Sequence, residues 1–197
     1  MAHILILSGS PSKTSRLNGI IQYVQKVLEG KGAQVEWINV SNLPAEDLIS
    51  ARFDSPAIQQ ANESVEKADA VIVASPVYKA SYTGVLKTYL DLLPQKGLAQ
   101  KVILPLFIGG SIAHLLSIDY ALKPVLSVLG ARTILAGVYV VDSLVKWNEQ
   151  GQVELEAEVK QRLDDSLQEL LEETDWHAKR RKDEAVGKVA EDVSSHA

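Results

Sequence analysis

Five short apolar runs, Ile4 to Leu7, Gln34 to Val40, Ala70 to Ala74, Val102 to Ile108 and Thr133 to Val141, alternate one for one with stretches of helical periodicity. The helical stretches fall near 15–30, 56–67, 84–93 and 113–129, and a last one runs from about Val153 to Leu171. Most of the strand-like runs are apolar throughout, so each must be covered on both faces, as a parallel sheet between two helical layers requires. The intervening helices supply the crossovers that join parallel strands. The fold class is therefore α/β, a flavodoxin-like doubly wound five-stranded parallel sheet of order 2-1-3-4-5 with helices on both faces. With 197 residues, 46% of them hydrophobic, the chain can bury one core. Residues 1–175 are expected to form a single domain, and 176–197 a polar, disordered C-terminal tail.

Composition removes several function classes. There is no cysteine, which excludes disulfides, thiol redox chemistry and thiolate metal sites, so a redox function has to borrow its cofactor. The four histidines, His3, His114, His177 and His196, are scattered without ligand spacing, and no metal site is expected. A formal net charge of -5 gives no electrostatic reason for a nucleic-acid partner. The first strand begins almost at Met1 and no apolar run reaches spanning length, so a cytoplasmic protein away from the membrane is expected.

In a sheet of this topology ligands bind beyond the carboxyl ends of the strands, which makes the loops after the first, third and fourth runs the places to look. The first loop, Ser8 to Arg16, is rich in hydroxyls and opens a helix, a combination that offers backbone N–H groups and a helix dipole to a phosphate. It lacks the glycine spacing of a Walker A loop or a dinucleotide fingerprint, and its hydroxyls suit one terminal monophosphate. The second, Ser75 to Gly84, is unusually aromatic for a chain with 6% aromatic residues. The third carries Gly109-Gly110-Ser111, where missing side chains let backbone N–H groups approach a ligand. Each loop alone is equally a plain turn; three on one edge point to a phosphorylated planar cofactor, and FMN meets those demands. The carboxylates of a response regulator are absent, Ser8 and Ser75 standing in their places, and there is no Gly-x-Ser-x-Gly nucleophile elbow.

These residues resemble the NAD(P)H-dependent FMN reductases of flavodoxin-like fold. The likeness rests on Gly9-Ser10-Pro11 with Ser15-Arg16, on Pro76-Val77-Tyr78 leading to Gly84, Leu86-Lys87 and Leu90-Asp91, and on Gly109-Gly110. More narrowly, Ala51-Arg52-Phe53-Asp54-Ser55-Pro56, Val77-Tyr78-Lys79-Ala80, Ala113-His114-Leu115-Leu116 and the run from Asp119 to Leu126 look like the branch that serves two-component alkanesulfonate monooxygenases. The resemblance implies a reductase that uses NADPH, or NADH, to make FMNH2 for a partner monooxygenase, with flavin a substrate more than a fixed prosthetic group. It implies that Ser10, Ser15 and Arg16 hold the phosphate, that Pro76, Val77, Tyr78 and Lys79 flank the isoalloxazine, and that Gly109, Gly110 and Ser111 contact its pyrimidine side. It also implies a homo-oligomer, dimer or tetramer, with flavin sites close to a subunit boundary. Hydride transfer between stacked rings needs orientation more than acid or base, so no catalytic side chain is assigned. His114 is either a flavin neighbour or a histidine in the first turn of a helix. An FMN-containing quinone or azo reductase and a flavodoxin-type electron carrier are the competing functions.

Pro124 breaks a local rule, because it sits inside the apolar stripe Leu115, Ile118, Leu122, Val125, Leu129. It removes the hydrogen bond to the Tyr120 carbonyl, and either a π-bulge near Tyr120 or two abutting helices would relieve the conflict. The resemblance favours the bulge and places Tyr120 and Pro124 on a helix involved in flavin transfer and oligomer contact. Further on, the basic run Lys179 to Lys182 is followed by Asp183 and Glu184 and is expected to be solvated.

Overall fold

The computed structural model describes residues 1–194. Its central sheet is built from β1 (His3–Ser8), β2 (Gln34–Asn39), β3 (Ala70–Pro76), β4 (Val102–Gly109) and, beside β4, the two short strands β5 (Thr133–Ile134) and β6 (Val138–Val141). All pairings in it are parallel and the order is β2-β1-β3-β4-β5, as the alternation requires.

The last expected strand is broken, and Pro105 explains why. Ile103 turns its carbonyl toward this edge and accepts from Leu135 N–H, so Pro105, two residues on, faces the same edge with no N–H to give. The neighbour escapes there: Ile134 pairs with Ile103 and Val138 with Leu106, leaving three residues opposite two. Gly137 makes the escape with a φ of 91°, and a Cβ on it would lie 3.0 Å from the Pro105 ring.

Alternate residues of each strand enter opposite cores. Ile4, Ile6, Ile72, Leu104 and Leu106 face α1 (Arg16–Gly30) and the long C-terminal helix, whereas Leu5, Leu7, Val71, Val73 and Phe107 face the other helical layer. That second layer comprises α3 (Pro56–Lys67), α4 (Gly84–Leu90) and α5 (Lys123–Val128), with the short α2 (Ala45–Ile49), unforeseen in the sequence, packed beside it. Both faces of β1, β3 and β4 are thus covered, which is what made those strands almost wholly apolar, whereas the edge strand β2 is only partly buried.

The C-terminal third departs from expectation. An antiparallel hairpin, β7 (Val145–Trp147) and β8 (Val153–Leu155), takes the start of the stretch read as helix, and α6 then runs Ala157–Ser194. Val153 sits so close to α1 that a Cβ on Gly19 would meet its Cγ2 at 1.8 Å, which explains a glycine in mid-helix. The segment expected to be a disordered tail from residue 176 is helical as far as Ser194; residues 195–197 lie outside the described part. Asp175 and Lys179 pair along the helix, and Arg181 bonds Asp69 and the Gln100 carbonyl at the foot of the sheet. No helix among the described residues is long and apolar enough to cross a membrane.

Candidate functional site

Three loops meet at the carboxyl edge of β1, β3 and β4. In the first, Asn18 is buried and its amide donates to the carbonyls of both Ser12 and Lys13 (3.2 and 3.0 Å). Because a trans peptide sets C=O and the following N–H on opposite sides, turning those two carbonyls inward turns the N–H groups of Lys13 and Thr14 outward. The exposed hydroxyls of Ser12 and Thr14 lie 3.3 Å apart beside them. These outward N–H groups stand at the start of α1, where the helix dipole favours negative charge.

The side chains expected to hold an anion are occupied otherwise. Ser10 is fully buried and its hydroxyl donates to the Ser12 carbonyl, shaping the loop from within. Ser15 caps α1, its hydroxyl accepting from Leu17 N–H. Arg16 donates to the Asp142 carboxylate at 2.8 Å, in a pair whose side chains are both about two-fifths exposed. At that exposure the ion pair is worth at most about 1 kcal/mol.

The loop after β3 is locked to the first. Thr83 Oγ1 donates to the Gly9 carbonyl at 2.6 Å, accepts from Leu86 N–H as the cap of α4, and its own N–H donates to the buried Ser75 hydroxyl. Gly9 permits this contact, since a Cβ there would stand 2.5 Å from Leu86 Cβ. Beyond Pro76 the chain makes a tight turn in which Tyr78 and Ser81 exchange backbone hydrogen bonds. The two central residues, Lys79 (φ 51°) and Ala80 (φ 62°), both occupy the left-handed region without being glycine. That is a type I′ turn made from the wrong residues, with strain of roughly 1–2 kcal/mol at each.

The loop after β4 completes the edge. Val77 N–H donates to the Ile108 carbonyl, and Tyr139 on β6 donates its hydroxyl to the Ser111 carbonyl at 2.7 Å. Burial pushes the Tyr139 phenol above its ordinary value, so it stays a donor through neutral and mildly alkaline pH. The two glycines differ in purpose. A Cβ on Gly109 would sit 2.1 Å from the Tyr139 hydroxyl oxygen, so that space belongs to the protein; one on Gly110 would meet nothing within 4 Å, so that space is open to a ligand. Val77, Tyr78, Lys79, Ala80 and His114 line an open cleft of about 800 Å³ above this edge, with His114 ending a short 3-10 turn, Ile112–His114.

Just past the cleft both reliefs foreseen for Pro124 occur together. Ile118–Leu122 form a π-turn, closed by Lys123 N–H donating to the Ile118 carbonyl, and Pro124 stands in the first turn of α5 immediately after it. Tyr120 at the crest of the π-turn is 79% exposed, and Leu116 and Val128 nearby are also exposed.

Of the expected residues, Val77, Tyr78, Lys79 and His114 line the cleft; Pro76 and Gly109 are buried at the ends of β3 and β4, Gly110 and Ser111 are exposed in the loop after β4, and Ser10, Ser15 and Arg16 lie in the loop after β1. The residues that hold those loops in place, Asn18, Thr83, Tyr139 and Asp142, were not singled out from the sequence. Asn18 and Thr83 had a signal in their position beside the loops; Tyr139 and Asp142 lie too far along the chain to have one.

The family model of the NADPH-dependent FMN reductases matches residues 2–146. An FMN reductase (NADPH) of Escherichia coli K12 is 46% identical over 93% of this chain and 93% of its own. An FMN reductase (NADPH) of Pseudomonas putida KT2440 is 46% identical over 84% of each chain. The solved apo structure of an NADH:FMN oxidoreductase, EMOB, superposes with a TM-score of 0.77 at 34% identity, covering 86% of this chain and 88% of that one.

Proposed function

The chain belongs to the NADPH-dependent FMN reductases, and from that premise we propose that it treats FMN as a diffusible substrate and passes FMNH2 to an alkanesulfonate monooxygenase. NADPH supplies the hydride and FMN accepts it; the chain's work is to hold and orient the two. The observation that carries the reading is the open cleft between the Tyr78-Lys79-Ala80 turn and His114, joined to an amide-lined loop whose arginine is shared with Asp142. A flavin seated there is gripped at its phosphate and one edge and is free to leave.

In this reading the amides of Lys13 and Thr14 bind the phosphate with Arg16, while Ser10 and Ser15 keep the loop in shape. Pro76 to Lys79 and His114 flank the ring system, and the backbone of Gly110 and Ser111 meets the pyrimidine edge, where negative charge grows during reduction. The exposed Leu116, Tyr120 and Val128, with a groove lined by Leu90, Leu93, Pro124 and Val125, form an apolar face suited to a homo-oligomer contact next to the cleft. We place the protein in the cytoplasm, as one domain that takes in α6 at least as far as Arg181.

The test is steady-state NADPH oxidation by desalted protein as free FMN is titrated from none. Saturable dependence on added FMN, with little activity without it, is expected. Turnover by the protein as purified, needing a quinone but no added FMN, would move the assignment to a prosthetic-flavin reductase; no oxidation at all would reopen the electron carrier.

A further inference from the structure

The opposite edge of the sheet carries a feature that FMN reduction does not use. At the amino-terminal ends of β4 and β5 the register pairs Val102 with Thr133, which sets the preceding residues, Lys101 and Arg132, side by side on the rim. Across this rim lies α6, whose His177, Arg180 and Arg181 recur at spacings of three and four and so share one helix face. Together with Gln100 and Thr133, these five basic side chains line a recess of about 220 Å³.

Like charges from three separate elements do not converge without cost in a chain of net charge -5. Asp69 bonds Arg181 at 2.8 Å, and Asp69 and Glu66 act on Lys101 through space. Lys101 is 9% exposed, and its ammonium donates to two backbone carbonyls, of Glu66 and Ala68, which leaves one of its three protons unspent. Arg181 is held in place by the Gln100 carbonyl and Asp69, and His177 by Thr133 Oγ1 at 2.9 Å. Arg180 lies over the Trp176 ring. Arg132 is exposed, and its side chain has no hydrogen bond or ion pair among the described residues. The recess thus has fixed walls and donors left over.

We propose that this rim beneath α6 is a binding site for a tetrahedral oxyanion, taken either as the free inorganic ion or as the phosphoryl group of a phosphate monoester. The volume suits one such group, and the forked guanidinium donors match its oxygens. The eight residues of β4 separate the recess from the flavin edge by about 23 Å, so the two sites can be filled together. Occupation would clamp α6 to the sheet.

Thermal unfolding of the full chain, saturated with FMN so that the first loop is filled, tests this. Inorganic phosphate, sulfate and AMP are titrated separately at constant ionic strength against chloride, with wild type and Arg132→Gln. Phosphate is expected to raise Tm by about 2–4 °C in wild type and not in the variant, whose NADPH oxidation with FMN stays unchanged. AMP acting at lower concentration than phosphate would identify a monoester; phosphate and sulfate acting without AMP would identify the free ion. No oxyanion-specific rise in wild type, or an equal rise in Arg132→Gln, would overturn the site.

Discussion

At the scale of single residues, Tyr139 and Gly109 form one device. The tyrosine hydroxyl both anchors the Ser111 carbonyl and fills the space a Gly109 side chain would need. Removing the hydroxyl in Tyr139→Phe forfeits a hydrogen bond worth about 1 kcal/mol, so the KM for FMN should rise roughly fivefold with kcat little changed. Gly109→Ala should harm FMN binding more, because the hydroxyl must move, and adding Tyr139→Phe should recover part of the loss. Steady-state titrations of the three variants check this; strict additivity would show that the two residues act separately. The diglycine was legible in the sequence, but only half of its reason was. Gly110 faces open space, whereas Gly109 answers to a tyrosine 30 positions away that no local pattern reveals. Ser10 and Ser15 teach the same lesson: their place in the loop was readable, and the inward aim of their hydroxyls was set by Ser12 and Leu17 in three dimensions.

At the scale of elements, the sheet order and most helices were legible because strand burial and helical periodicity are local signals. The β5–β6 break was not, since it is imposed by Pro105 on the neighbouring strand. Pro124, by contrast, lies within the element it disturbs, and it marked the π-turn correctly. Deleting Tyr120 should restore ordinary helical register and remove the exposed ring; flavin should then stay with the protein through gel filtration and transfer poorly to an acceptor flavoenzyme. Unchanged FMN affinity and unchanged turnover would remove the π-turn from flavin exchange. The turn at Lys79-Ala80 supports a prediction of opposite sign to most substitutions. Ala80→Gly relieves left-handed strain that outweighs the added freedom of the unfolded chain, and should stabilise by about 0.5–1 kcal/mol, seen as a higher urea midpoint. A lower midpoint would mean that the Ala80 methyl has a packing role greater than the strain.

At the scale of the whole molecule, tyrosines tie neighbouring elements together within each layer and set the alkaline limit of stability. Tyr23 on α1 donates to Asp164 on α6, Tyr89 on α4 to Asn62 on α3, and Tyr139 on β6 to the loop after β4. Burial raises the phenols of Tyr23, Tyr82, Tyr89 and Tyr139 above their ordinary value; Asp164 pushes Tyr23 the same way, and Glu36 does so for Tyr89. The folded state therefore keeps protons that the unfolded chain surrenders near pH ~10, and their contribution is whole below that pH and lost above it. Lys101 works in the reverse sense. Burial lowers its pKa, so between that lowered value and about 10.4 the unfolded chain binds more protons and stability climbs with pH. The urea midpoint should accordingly hold or rise slightly up to about pH 10 and then fall steeply, because four phenols outnumber one ammonium. Circular dichroism and near-ultraviolet absorbance, followed together, decide the matter. The tyrosinate signal of these four residues should appear with the loss of structure; if it develops while the helices remain intact, the phenols are reachable by hydroxide in the folded state and do not set the limit.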